Sequence, residues 1–151
     1  MLPTTLKRDF PLTDISVKLA RDCVRRFCAD RRIPAHATDS AALIATELAT
    51  NAVRHAQRAA TRAEFTVILT LCGRQLDIAV WDYLPSPCPK LRALADVPLD
   101  ARSGRGLALV QTDAAGFTWS RTATGKLVSA WIEVAAECPT QVPIGEQPSL
   151  F

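Results

Sequence analysis

No run of lysine or arginine in this chain exceeds a pair, so its small basic excess, 18 Lys and Arg against 15 Asp and Glu for a net charge of +3, marks no nucleic-acid footprint. No apolar stretch approaches the roughly 18 residues that a membrane span requires, and the first residues, Met1 to Asp9, carry no apolar leader core. A soluble, cytoplasmic protein without a membrane partner is therefore expected. Cys-x-x-Cys is absent and no histidine stands at zinc spacing from the five scattered cysteines, Cys23, Cys28, Cys72, Cys88 and Cys138. Their odd number fits free thiols in a reducing compartment. Cys23, Cys28 and Cys72 read as small buried hydrophobes, and Cys88, set among prolines, as the thiol to test for reactivity. No glycine-rich loop leads into a catalytic lysine, which removes the P-loop from consideration. Neither an internal repeat nor a low-complexity block supports a second domain.

What is present is enough apolar residue, 48% of 151 positions, for one core of ordinary domain size. Leu6–Phe10 reads as a short edge strand closed by Pro11. Asp14 is placed to cap a helix reaching about Arg31, with Ile15, Leu19, Cys23 and Phe27 as its apolar stripe, before Pro34 breaks it. A second helix is expected from Thr38 or Asp39 to about Gln57. Glu64–Cys72 and Gln75–Trp81 form a hairpin about Gly73-Arg74, and Asp82 falls where its second strand ends. Tyr83–Ser103, punctuated by Pro85, Pro87, Pro89 and Pro98, reads as a loop or lid. A helix over Leu107–Ala115 ended by Gly116, and a last hairpin of Phe117–Thr122 and Lys126–Val134, complete the order. Trp81, Trp119 and Trp131 take strand positions at the core or its edge. This order predicts an α/β fold, a two-layer sandwich with a mixed, mostly antiparallel sheet and its helices on one face. One domain spans residues 1–136, and the proline-bearing stretch 137–151 reads as a flexible tail.

Three short segments carry chemistry. In Glu47-Leu48-Ala49-Thr50-Asn51-Ala52-Val53-Arg54-His55 the helical repeat sets Glu47, Asn51 and His55 one above another along one edge. Ile78-Ala79-Val80-Trp81-Asp82 is an apolar run ending in an acid, and Gly104-Arg105-Gly106-Leu107 is a glycine pair opening onto an apolar helix. In this order they resemble the boxes of the GHKL ATP-binding fold of gyrase-type ATPases, Hsp90, sensor histidine kinases and MutL-type proteins. The likeness covers about residues 5–135. The first box matches fully and the third well. The second matches only at Asp82, because Leu84 and Ser86 stand where glycines are expected. The short length is most similar to the anti-sigma-factor serine kinases of the RsbW type. No phosphoacceptor-histidine helix accompanies the boxes.

The resemblance implies ATP and Mg2+ as ligands, with Asn51 as the magnesium ligand and Glu47 as general base. A neutral carboxamide suits a metal shared with a triphosphate, since a second carboxylate would repel it. Glu47, one turn earlier, is placed to take a proton from the attacking oxygen. Asp82 would accept from the adenine exocyclic amine, where guanine offers a carbonyl. Gly104, Arg105, Gly106 and Leu107 would present backbone N–H groups to the phosphates, with Arg54 and Arg105 adding charge and Lys126 a weaker candidate. Taken singly these have duller readings: a solvated helix face, a strand-end turn residue, a helix start with no ligand. Their joint order separates them from chance, whereas His55 stays a packing or backbone-bonding residue. The implied function is an anti-sigma factor that phosphorylates a serine or threonine of an anti-anti-sigma protein and binds a sigma factor, as a homodimer without direct nucleic-acid contact. The alternative is a non-catalytic ATP-binding partner switch with a degenerate lid.

Overall fold

The computed structural model describes residues 2–56, 62–83 and 114–134. The Gly104–Leu107 turn, the expected lid beyond Tyr83, all but the last two residues of the helix expected over Leu107–Ala115, Cys88, Cys138 and the tail lie outside the described residues. The elements are β1 (Thr4–Pro11), α1 (Asp14–Asp30), α2 (Ala35–Ala56), β2 (Glu64–Cys72), β3 (Gln75–Asp82), β4 (Gly116–Thr122) and β5 (Gly125–Glu133).

The five strands make one sheet in the order β1-β2-β3-β5-β4. Every pairing among them is antiparallel, in keeping with the expected two-layer sandwich with a mostly antiparallel sheet. The reason lies in the connections. Two helices carry the chain out and back between β1 and β2, so β2 starts at the end where β1 finished, with Pro11 opposite Glu64 and the Leu12 N–H donating to the Ala63 carbonyl at 3.0 Å. Gly73-Arg74 then joins β2 to β3, and Gly73 takes φ +59, a left-handed conformation that suits glycine in a two-residue hairpin turn.

Both helices cover one face. Helix α2 packs on β3, β5 and β2, and α1 packs chiefly on α2. Alternate strand residues supply the inner row: Phe65, Val67 and Leu69; Leu76, Ile78 and Val80; Val128, Ala130 and Ile132. They meet Ile44, Leu48 and the alanines of α2 in one core, where each large side chain fully buried contributes about 1.5–3 kcal/mol. Among the described residues no helix is long and apolar enough to cross a membrane.

Local differences from the sequence reading have local causes. Thr13, not Asp14, is the N-cap of α1, extended at φ −133 and ψ 155, its carbonyl accepting from the Ser16 N–H at 3.1 Å. The buried face of α1 is Ser16, Ala20, Cys23, Val24, Phe27 and Cys28, while Ile15 is 67% and Leu19 47% exposed. Small residues at 16 and 20 allow close approach to α2 and turn the larger pair outward. Helix α2 starts at Ala35 rather than at Thr38 or Asp39, because Pro34 lends its carbonyl to the Thr38 N–H at 2.9 Å and so opens the first turn. Asp39 instead accepts from Arg25 of α1 at 2.9 Å. Cys23 and Cys28 are buried as expected, and burial pushes both thiols up, whereas Cys72 is exposed near the tip of the β2–β3 hairpin. Gly116 ends no described helix. It begins β4 under the Trp131 ring, which a Cβ there would overlap.

Gly125 opens β5 so close to β3 that a Cβ would overlap the Asp82 carbonyl oxygen and the Trp81 ring. Gly125→Ala should therefore lower stability by about 1–3 kcal/mol, the usual cost of overpacking. A urea unfolding curve coinciding with that of the wild type would show that β5 has room to move.

Candidate functional site

Helix α2 holds the first group of candidates. Leu48, Ala49, Ala52 and Val53 are buried, whereas Glu47 and Asn51 are half-buried and Arg54 is exposed, so the two candidates run along the border between core and surface. His55 occupies the last turn of the same helix. The intervening hydroxyls are committed to the backbone: Thr46 donates to the Ala42 carbonyl and Thr50 to the Thr46 carbonyl, each at 2.7 Å. Burial pushes the Glu47 carboxyl above its ordinary value of 4.5, and the positive charge of Arg54, two turns along the same face, pulls it partly back.

Strand β3 supplies the second group. Asp82 is in phase with Leu76, Ile78 and Val80, so it continues the inward row and is only 2% exposed. Its register partner on β5 is Lys126, in phase with Val128, Ala130 and Ile132 and 5% exposed. The Lys126 Nζ lies 3.5 Å from Asp82 Oδ2. An ammonium thus faces a carboxylate at the end of an otherwise apolar face. Neither charge would be tolerated there alone, since leaving one buried and unpaired typically costs about 3–5 kcal/mol. Lys126, weighed from sequence as a possible phosphate contact, is placed instead beside Asp82.

Topology brings the two groups to one end of the molecule. Phe65, at the start of β2, pairs with Asp82, and the short connection from α2 ends at that strand. The C-terminal half of α2, carrying Glu47, Asn51 and Arg54, therefore runs toward the sheet end where Asp82 and Lys126 sit. Tyr83, the first residue after β3, is held at the rim. Its ring meets Trp81 edge-on at a centroid distance of 6.2 Å, the Arg62 guanidinium stacks over it at 4.7 Å, and Arg62 donates to its hydroxyl at 3.4 Å. Arg62 had no sequence signal. Lys126 had one, its inward parity in β5, legible only once that strand's face is known. Gly104, Arg105, Gly106 and Leu107 lie outside the described residues.

A separate cavity of about 350 Å³ opens between α1 and α2, lined by Asp14, Val17, Thr50, Val53 and Arg54. Among the described residues, Arg54 is the expected nucleotide contact that lines it. Among the described residues no group of three or more His, Cys, Asp or Glu could hold a metal. A magnesium ion bound through one protein oxygen and substrate phosphates needs no such group.

Comparison with known proteins identifies the family and the fold. The sequence model of one family, described as the histidine kinase-like ATPase domain, matches residues 10–132. No curated protein matches. Among solved structures, the RsbU and RsbW domains of Rv1364c from Mycobacterium tuberculosis are similar in fold, with a TM-score of 0.64 at 17% identity. That likeness covers 87% of this chain and 32% of the other, so the chain spans about a third of that structure's length.

The raised Glu47 carboxyl has a measurable consequence. Carbon-13 NMR titration should place it above 4.5, and Arg54→Ala should raise it further by removing the opposing charge. Because the folded state then holds the Glu47 proton more tightly than the unfolded chain, the stabilisation this gives is complete below 4.5. It is lost as pH rises through the higher folded value. A midpoint at or below 4.5 would contradict the effect of burial, and one indifferent to Arg54→Ala the opposing charge.

Proposed function

Because the chain belongs to the histidine kinase-like ATPase domain family, we propose that it is an ATP-binding regulatory protein that transfers the γ-phosphoryl group to a serine or threonine of a small partner protein. The observation that carries this reading is the pairing of a half-buried Glu47, its carboxyl raised, with Asn51 one turn on, at the end of the sheet where Asp82 is buried. The donor set suits magnesium ATP: a neutral oxygen ligand, a carboxylate apart from it by one turn, and a buried acceptor for the base. Magnesium would supply charge neutralisation at the phosphates, held on the protein side by Asn51.

Each residue then has one task. Asp82 accepts from the adenine amine, whereas guanine would set a carbonyl oxygen against its carboxylate. Glu47 takes the hydroxyl proton of the attacking serine or threonine, and the upward shift of its carboxyl makes it a better base than a free carboxylate. Arg54, exposed on the same helix, adds positive charge toward the phosphates. The turn Gly104, Arg105, Gly106, Leu107 is assigned the phosphate backbone contacts on its sequence pattern alone.

The partners follow from the likeness to an RsbW domain: an anti-anti-sigma protein as phosphoryl acceptor and a sigma factor as the ligand held in the other state, with the chain acting as a cytoplasmic homodimer. One sequence observation favours a second reading, a switch that binds ATP without transferring phosphate. Leu84 and Ser86 replace the glycines expected after Asp82.

Incubation with labelled ATP, magnesium and candidate acceptor proteins decides between them. Transfer to a serine or threonine, falling about 10²-fold or more in Glu47→Gln while ATP affinity is kept, is the expected result. ATP binding with no transfer in any pairing selects the switch, and transfer undiminished in Glu47→Gln removes Glu47 as base.

A further inference from the structure

Strand alternation gives the sheet a second face, turned away from both helices. Ile68 of β2, Ala79 and Trp81 of β3, and Leu127, Ser129 and Trp131 of β5 alternate with the inner row and stand outside the helix-packed core. Among the described residues no helix packs on this face. The register arranges it in three rows, with Trp81 opposite Leu127, Ala79 opposite Ser129, and Asp77 opposite Trp131. Within these rows β2, β3, β5 and β4 carry one charged side chain, Asp77, while Glu64 and Glu133 lie beyond them. A centre poor in charge with charges at its margin is the composition of an interface core. Both indoles are held in place. The Trp131 ring lies over Gly116, and the Trp81 ring lies against Gly125 and meets Tyr83 edge-on at 6.2 Å. Side chains fixed beforehand lose little freedom on contact.

Resting on the homodimer assigned above, we propose that this face is the contact between two copies of the chain. An isologous interface must fit itself under a two-fold rotation. A half-turn about an axis that crosses the strands along the middle row leaves that row in place and exchanges the outer two. Trp131 of one copy then falls on Leu127 of the other, and Trp81 falls on Asp77. That carboxylate already accepts from Gln75 at 2.9 Å and gains the indole N–H as a second donor. Large thus meets smaller at each corner. In the middle, Ala79 and Ser129 meet their own counterparts, small enough to admit the roughly 10 Å spacing of packed sheets. The middle row ends at Lys7 on the edge strand β1, an exposed position from which two lysines reach water. The face is also large enough. Five strands about 4.8 Å apart and about eight residues long span about 650 Å² before side-chain relief, near the roughly 800 Å² that each partner gives to a standard interface. Asp82 and helix α2 belong to the other face, so the contact leaves both nucleotide sites open.

Light scattering and sedimentation test the contact, with circular dichroism to confirm the fold. The wild type should have twice the mass of one chain. Because Ser129 meets Ser129 on the axis, Ser129→Lys brings two ammonium groups together and Ser129→Glu two carboxylates. Each variant alone should dissociate about a hundredfold or more readily. Mixed in equal amounts, the two should pair again at close to the wild-type concentration, which misfolded chains would not do. Thr118, exposed in the same row on β4, takes the same two substitutions should a Ser129 variant fail to fold. Ile15→Ser with Leu19→Ser, at an exposed apolar pair on α1, should leave the dimer intact. A dimer that persists in folded Ser129→Lys, that the mixture fails to restore, or that the α1 pair abolishes overturns this contact and leaves the homodimer to another face. A wild type still monomeric at about 100 µM, where even a weak specific contact associates, overturns the homodimer and this contact together. ATP binding, measured on the same samples, fails or succeeds independently of these masses, so the two readings are told apart.

Discussion

Helix α2 carries Glu47 and Asn51 at the border between core and surface because the rest of its circumference is committed to packing. Ala37, Ala41, Ala45, Ala49 and Ala52, with Ile44, Leu48 and Val53, leave it buried between α1 and the strands β2, β3 and β5. Small side chains over so much of the surface set a short distance to the sheet, and close-packed interiors do not let such a distance drift. The position of the two polar residues is thus a by-product of core packing. A larger residue at one of these alanines would lift the helix and move Glu47 and Asn51 relative to Asp82 even though it touches none of them.

That seating also explains the electrostatics. Glu47 lies on the border of the buried stripe, where part of its hydration is lost and its carboxyl rises, while Arg54 keeps the rise in check. Asp82 sits deeper, on the inner face itself, and is compensated by a buried lysine on the next strand. The two carboxylates therefore meet different surroundings, one half-buried on a helix and the other buried against a lysine on the next strand.

Tyr83 marks the boundary between the described sheet and the segment that follows. Its contacts with Trp81 and Arg62 anchor the chain as it leaves β3, so whatever follows departs from a fixed point beside Asp82. Arg62 in turn pairs with Glu64 at the start of β2, which ties this rim to the connection from α2. Each is an exposed or partly exposed contact of small energy.

Much of this was legible without coordinates, and the reason is range. The alignment of Glu47 with Asn51 follows from 3.6 residues per turn, the hairpin about Gly73-Arg74 from a two-residue turn with glycine, and the place of Asp82 from the end of an alternating strand. All depend on neighbours a few residues away, and the sequence determined them by itself. Residues distant in the chain were another matter. That β5 lies between β3 and β4, that the sheet is antiparallel throughout its described strands, that Ser16 and Ala20 rather than Ile15 and Leu19 face α2, and that Lys126 stands against Asp82 were decided only by the tertiary structure. Strand order and helix rotation are chosen by the packing of whole faces, and a lysine in a strand shows no sign in sequence of which carboxylate will neutralise it.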